Sequence, residues 1–498
     1  MDTIDKLKQD VRERRISAEA LIDLIADLCR KLDAANKRIE ELEKQIGASP
    51  TAKLDEPFSI RAEEQRQEAR GKKKRQRKPK GRRGRLSTDD KVAQAERTES
   101  VFPEGVPPDA CYLSHVRPVW RLENGRAVLV AYQVYRGPGN RYGQIPGVLG
   151  RSEYSLEIVT EIAYLVYIVG LSFDKVCLLL NFFQNLRLGK SQANALLYRL
   201  SRDWEHEFDL LCTLLANSLV VHADETSWSL NSVWAFLSEK ARVILFGVHK
   251  DAATLKKVLD PASFAGIVIS DDAAVYADFT ESQKCWAHLL RKAIKLTLQD
   301  PNNTEYRGFT DRLLEIYREA CRIQRDQRLS DEGRARKVRV LDAEIIELCE
   351  GMWLADQPAM KGLENDYRLL VNELMRLMLR NELFTFVTAK PTTQPNGTTK
   401  PVDGTNNEAE RTLRGAAQSR VTGRTNKTAN GARRQTILTS VLESLRLFLP
   451  TFTLSSVLEE LKRWWATGQS CFEILVAKLK LTPPEQSVID QILPGPSG

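Results

Sequence analysis

Three short stretches of this chain carry acids in settings suited to chemistry. Leu219-Val-Val-His-Ala-Asp224-Glu225-Thr-Ser-Trp228 runs from β-branched apolar residues into two carboxylates. That is the pattern of a buried strand that delivers an acid to the lip of a sheet. Gly266-Ile-Val-Ile-Ser-Asp271-Asp272 repeats it, and Asn406-Asn407-Glu408-Ala-Glu410-Arg411 has the spacing of a helix. Two strand-borne aspartates and a helix-borne glutamate are the oxygen ligands that a pair of Mg²⁺ or Mn²⁺ ions needs. Hard cations take carboxylates and keep positions open for water and phosphate, so the expected chemistry is on DNA phosphodiesters.

Each stretch offers more acids than such a site can use. Adjacent strand residues face opposite ways, so Asp271 and Asp272 cannot both reach one metal pair without a bend. On a helix Glu408 and Glu410 stand about 200° apart, whereas Asn407, Glu410, Arg411 and Arg414 share a face suited to phosphate. Each of the three stretches can therefore supply one acid to such a site, and on the helix Glu410 is the one set among groups suited to phosphate. Glu225 is read as a neighbour, and Asn406 as the cap of its helix.

The elements that must position these acids follow from periodicity, which gives a multi-domain α+β chain. Residues 1–47 place Leu21, Ile25, Leu28, Leu32, Ala35, Ile39, Leu42 and Ile46 at alternating spacings of four and three, a coiled-coil seam that predicts a homo-oligomer. Residues 48–105 are polar and charged and read as a disordered basic linker. Residues 106–150 read as a small β-rich module, and 151–215 as a helical, helix-turn-helix-like region with Lys190, Arg199 and Arg202 on its last helix. From 216 to 300, three strands, a helix and a fourth strand follow the order of a ribonuclease-H-like α/β core, in which the first and fourth strands lie side by side. Residues 301–382 read as an all-helical insertion. Residues 383–447 return to the core with a strand at 383–387 and the glutamate helix, and 448–498 close the chain with C-terminal helices and a tail.

Charge and cysteine usage narrow the setting. The formal net charge is +8, yet the stretch from Lys72 to Arg85 alone holds ten basic residues and no acid. The remainder is close to neutral. Such a run, Lys72, Lys73, Lys74, Arg75, Arg77, Lys78, Lys80, Arg82, Arg83 and Arg85, is a phosphate-binding arm with strong salt dependence. A second basic set, Arg411, Arg414, Arg420, Arg424, Lys427, Arg433 and Arg434, comes after the glutamate in sequence and is expected to contact DNA near the site. The eight cysteines are scattered, which fits a reducing cytoplasm. Cys111 and His115 offer two ligands, too few for a structural zinc site, so no zinc is expected. The first residues lack a secretory pattern, and no apolar run approaches the roughly 18 residues of a membrane span.

Four blocks in order resemble transposases of the insertion-sequence sixty-six family: His222-Ala-Asp224-Glu-Thr-Ser-Trp, Ser270-Asp271-Asp-Ala-Ala-Val-Tyr276, Cys285-Trp-Ala-His288-Leu-Leu-Arg291-Lys, and Asn406-Asn407-Glu-Ala-Glu410-Arg411-Thr-Leu-Arg414. The resemblance covers roughly residues 150–447. It implies a bacterial, nucleoid-associated Asp-Asp-Glu transposase with Asp224, Asp271 and Glu410 as catalytic and metal-binding residues, two divalent metals, transposon-end and target DNA as partners, and accessory proteins of the same element. Arg291 would join the DNA contacts, with His288, Asn406 and Asn407 in support. The chain departs from the family in lacking a cysteine-rich zinc region ahead of the core and in carrying Asp272 after Asp271. The residues alone leave two other classes open: a structure-selective nuclease or resolvase, and a non-catalytic DNA-binding regulator.

Overall fold

The structure is a computed structural model that describes residues 30–31, 86–351 and 362–494. The chain divides into two units, 1–80 and 81–498, and all elements named below belong to the second. The coiled-coil seam, apart from Arg30 and Lys31, and the basic run from Lys72 to Arg85 lie outside the described residues.

The linker expected to extend to residue 105 ends earlier. Helix α1 (Thr88–Ala93) carries a capping box in which Ser87 and Asp90 satisfy each other's backbone N–H groups. Strand β1 (Arg97–Val101) pairs parallel with β3 (Arg126–Arg136), which pairs antiparallel with β2 (Tyr112–Glu123). Polar side chains at 97–100 hid this strand because it lies at a sheet edge with one side in solvent.

Four helices follow: α2 (Leu156–Tyr167), α3 (Phe173–Gln184), α4 (Lys190–Asp203) and α5 (Glu205–Ala216). On α4 the buried residues Ala193, Leu197 and Leu200 recur every three or four positions, which turns Lys190, Arg199 and Arg202 outward.

The sheet that positions the acids comprises β4 (Val220–Ser227), β5 (Ser232–Ser238), β6 (Arg242–Val248), β7 (Ile267–Ser270) and β8 (Ser282–Lys284), with α6 (Ala252–Val258) between β6 and β7. Its order is β6-β5-β4-β7-β8. Strands β4 and β5, and β5 and β6, are antiparallel, whereas β4, β7 and β8 run parallel. The first and fourth strands are thus neighbours.

Alternation along these strands separates two faces. Val221, Ala223, Trp234, Phe236, Val243 and Leu245 join one core with α2–α5. On the other side, Val233, Ala235, Ile244 and Phe246 pack against Leu413 and Ala416 of helix α12, given below. Asp224 pairs with Ala235, so it shares that second side.

Beyond β8 come α7 (Trp286–Gln299) and the long helices α8 (Thr304–Arg325), α9 (Asp331–Cys349) and α10 (Leu363–Leu379). They share a core with Val220 and Ile269 of the sheet. The strand expected at 383–387 is instead a short helix, α11 (Thr385–Thr388). Phe386 and Val387 are buried there, but the Thr385 hydroxyl accommodates the turn by donating to the Ser282 and Asn381 carbonyls. A small hairpin, β9 (Thr392–Thr393) and β10 (Thr399–Lys400), leads into α12 (Asn407–Val421), α13 (Ala429–Phe448), α14 (Leu454–Thr467), α15 (Cys471–Lys478) and α16 (Val488–Ile492).

Helix α13 closes the free edge of the sheet in a way the sequence reading missed. Thr436, Ser440 and Ser444 accept hydrogen bonds from the backbone N–H groups of Phe246, Ile244 and Arg242, each at 2.9 Å. The match is geometric: four helical residues rise about 6.0 Å and two strand residues about 6.7 Å. Close approach is helped by Gly247, whose φ of +75° and contact with Ala432 leave no room for a side chain. Among the described residues no helix is long and apolar enough to cross a membrane.

Candidate active site

Register alone brings two of the acids together. Parallel pairing of β4 with β7 matches Val220 to Ile267, Val221 to Val268 and His222 to Ile269. Continued by two residues, it sets Asp224 beside Asp271. Strand β7 stops at Ser270, and the Asp271 carboxylate turns the chain by accepting from the Ala273 N–H at 3.0 Å.

The competing acids are each engaged elsewhere. Asp272 pairs with Arg376 of α10. Glu225 is only 1% exposed; it receives the Tyr276 hydroxyl and lies 2.6 Å from the Lys250 ammonium, whose proton it holds more firmly than usual. Glu408 points back to the sheet, where Arg242 of β6 reaches it at 2.7 Å. Glu410 faces the other way and meets Arg291 of α7 at 2.6 Å, with His288 Nε2 at 3.7 Å.

Asn406 draws the glutamate helix onto the aspartate strand. Fully buried at the N-cap position of α12, it makes no side-chain cap bond, contrary to the sequence expectation. Its Nδ2 donates instead to the carbonyl of Ala223, next to Asp224, at 2.8 Å, while its backbone N–H donates to Cys285 Sγ at 3.1 Å. A buried amide spent between elements is a stronger constraint than a solvated cap. The Asn407 carbonyl accepts from Arg411 Nε.

Electrostatics record the crowding. Burial, then the charge of Glu225, then those of Asp271 and Glu410, push the Asp224 carboxyl up to about 7. Burial lowers His288, with the charge of Arg291 adding to it. The donor set of Asp224, Asp271 and Glu410 is all carboxylate, which fits hard divalent cations.

The basic residues separate into two groups. Arg411 and Arg414 are exposed on α12 beside Glu410, and Lys427 follows on the connection to α13. Arg420 reaches the end of β4 at the Ser227 carbonyl, and Arg424 donates to the carbonyl of Gly170. Lys190 pairs with Asp174 at the surface, while the exposed Arg199 lies against Gly150. Arg433 and Arg434, expected on DNA, are buried. Arg433 pairs with Glu205 and Asp490, and Arg434 bonds Tyr167 and Asn194, so both serve packing.

Cys285 and His288 form a close Cys/His pair that the sequence reading passed over. Their signal was a Cys-x-x-His spacing across a helix start. A family model described as "Transposase IS66 family" matches residues 151–434, more than half of the chain and a span that contains all three acids. No curated protein matches the chain.

Proposed function

The chain belongs to the IS66 transposase family, and from that premise we propose that it cuts DNA at transposon ends and joins the freed ends to target DNA, with Asp224, Asp271 and Glu410 as its catalytic acids. What carries this reading is the meeting of acids from three distant stretches on one side of one sheet, where Asp224 feels the charge of both partners. The strand order supports a ribonuclease-H-like core, with α8–α10 as the insertion between its two parts.

The three acids would hold two divalent ions, which supply an activated water for cleavage and stabilise the leaving 3′ oxygen. The protein's own groups set the geometry. Asn406 clamps α12 to β4, while Tyr276 and Lys250 hold Glu225 out of the acid set and Arg376 holds Asp272 away. Arg291, Arg411 and Arg414 neutralise phosphates of the strand that enters. Because the acids and not a histidine carry the charge, no histidine general base is needed. Residues 1–47 would pair copies of the chain, and the 72–85 arm and α4 would follow the DNA.

Purified full-length protein incubated with Mg²⁺ and a transposon-end duplex should yield both cleaved and joined products. Cleavage without joining would favour a structure-selective nuclease. Asp224→Asn should lower both steps by at least about a thousandfold while leaving the gel-shift affinity for the end DNA unchanged. A variant that still cleaves would remove the assignment of the acid.

A further inference from the structure

Cys285, His288 and Glu410 bring a thiol, an imidazole and a carboxylate together, with one ligand atom from each lying within 4.8 Å of the others. Two come from the start of α7, where Cys285 is the N-cap and His288 the third helical residue, so both project to one side. The third arrives on α12 by the Asn406 clamp. The geometry points to a second metal site, one for a thiophilic divalent cation such as zinc, whose occupation takes Glu410 away from Asp224 and Asp271.

Several features suit these residues to that ion. Ligands 2.0–2.3 Å from a tetrahedral zinc stand about 3.3–3.6 Å apart, so the 3.7 Å between His288 Nε2 and Glu410 Oε1 is already close to a coordination edge. His288 spends neither ring nitrogen on a hydrogen bond: Nδ1 is buried without a partner and Nε2 stands beyond bonding distance of Glu410. Cys285 Sγ is already met by the Asn406 N–H, the kind of donor that steadies a thiolate. A sulfur, nitrogen and oxygen set selects zinc or cobalt over magnesium.

Binding forms bonds from the ion to Cys285 Sγ, to a His288 ring nitrogen and to a Glu410 oxygen, with water as the fourth ligand. It releases the Cys285 proton to solvent and frees the Arg291 guanidinium, which is more than half exposed and can turn away. The inhibitory consequence rests on the proposed role of Glu410; the binding itself does not.

The test titrates metal-free, reduced full-length protein with Co²⁺ and reads the thiolate-to-cobalt charge-transfer absorption, then adds Zn²⁺. The expected result is a band that saturates at one equivalent per chain and is bleached by zinc. Cys285→Ser should abolish it, and His288→Gln and Glu410→Gln should each weaken binding at least about tenfold. Asp224→Asn, inactive under the proposed function, should bind cobalt as the wild type does, which separates this site from the acid set. Circular dichroism of each variant shows that the fold is retained. No saturable band, a band that survives Cys285→Ser, or one lost in Asp224→Asn would overturn the site. Zinc-loaded protein that cleaves DNA at the full Mg²⁺-supported rate would overturn the withdrawal of Glu410.

Discussion

Asp224 stands in the folded protein with its carboxyl near 7 instead of the ordinary 3.8, chiefly through burial and the charges around it. Between those two values the folded chain keeps a proton that the unfolded chain has released. Stability from this group is therefore full below about pH 4 and is lost as the pH rises through 7. A divalent cation replaces the proton, so Mg²⁺ should raise the melting temperature more at pH 8 than at pH 5. Asp342, raised to about 6 by burial alone, adds its own slope, and comparison with Asp224→Asn isolates the site. Equal Mg²⁺ shifts at the two pH values, or shifts that survive Asp224→Asn, would contradict the carboxylate set. The two glutamates of α12 should divide their roles. Glu410→Gln should abolish cleavage with little change in stability, whereas Glu408→Gln, which leaves Arg242 without its nearest carboxylate, should cost about 1 kcal/mol in urea unfolding and keep cleavage.

At the scale of elements, the two strands that end in aspartate were the most legible part of the site. Runs such as Val220-Val221 and Ile267-Val268-Ile269 announce buried strands that end in aspartate, and the order of three strands, a helix and a fourth strand was what set the first beside the fourth. The partners of the surplus acids were not legible. Arg376 for Asp272 and Arg242 for Glu408 come from remote helices and strands, and no local pattern joins them. The buried Arg433 and Arg434 looked like DNA contacts because charge in a sequence is silent about burial. Residues 383–387 looked like a strand because a short apolar run fits either state. The hydroxyl row of Thr436, Ser440 and Ser444 carried a signal, three small polar residues at intervals of four among the buried apolar residues Ile437, Leu438, Val441, Leu442 and Leu445. Its function emerged only beside β6. Removing one member, as in Ser440→Ala, should leave the Ile244 N–H unpaired and cost about 1–3 kcal/mol, read by urea unfolding. An unchanged midpoint would show that solvent can replace the hydroxyl.

For the molecule as a whole, the proposed joining of DNA ends would bring copies of the chain together, and the heptads of residues 1–47 are the proposed means. Deleting them should lower the mass measured by light scattering and leave the unit from residue 81 onward folded; an unchanged mass would refute the zipper. The hydroxyl row has a temporal consequence too. Strand β6 leaves the ribosome almost two hundred residues before Ser440 does, so throughout synthesis the nascent sheet presents an open border of amide donors that only the late-arriving helix can cover. A message broken before residue 429 would yield chains able to stack border to border, and an element interrupted there would leave its host aggregates in place of a soluble fragment.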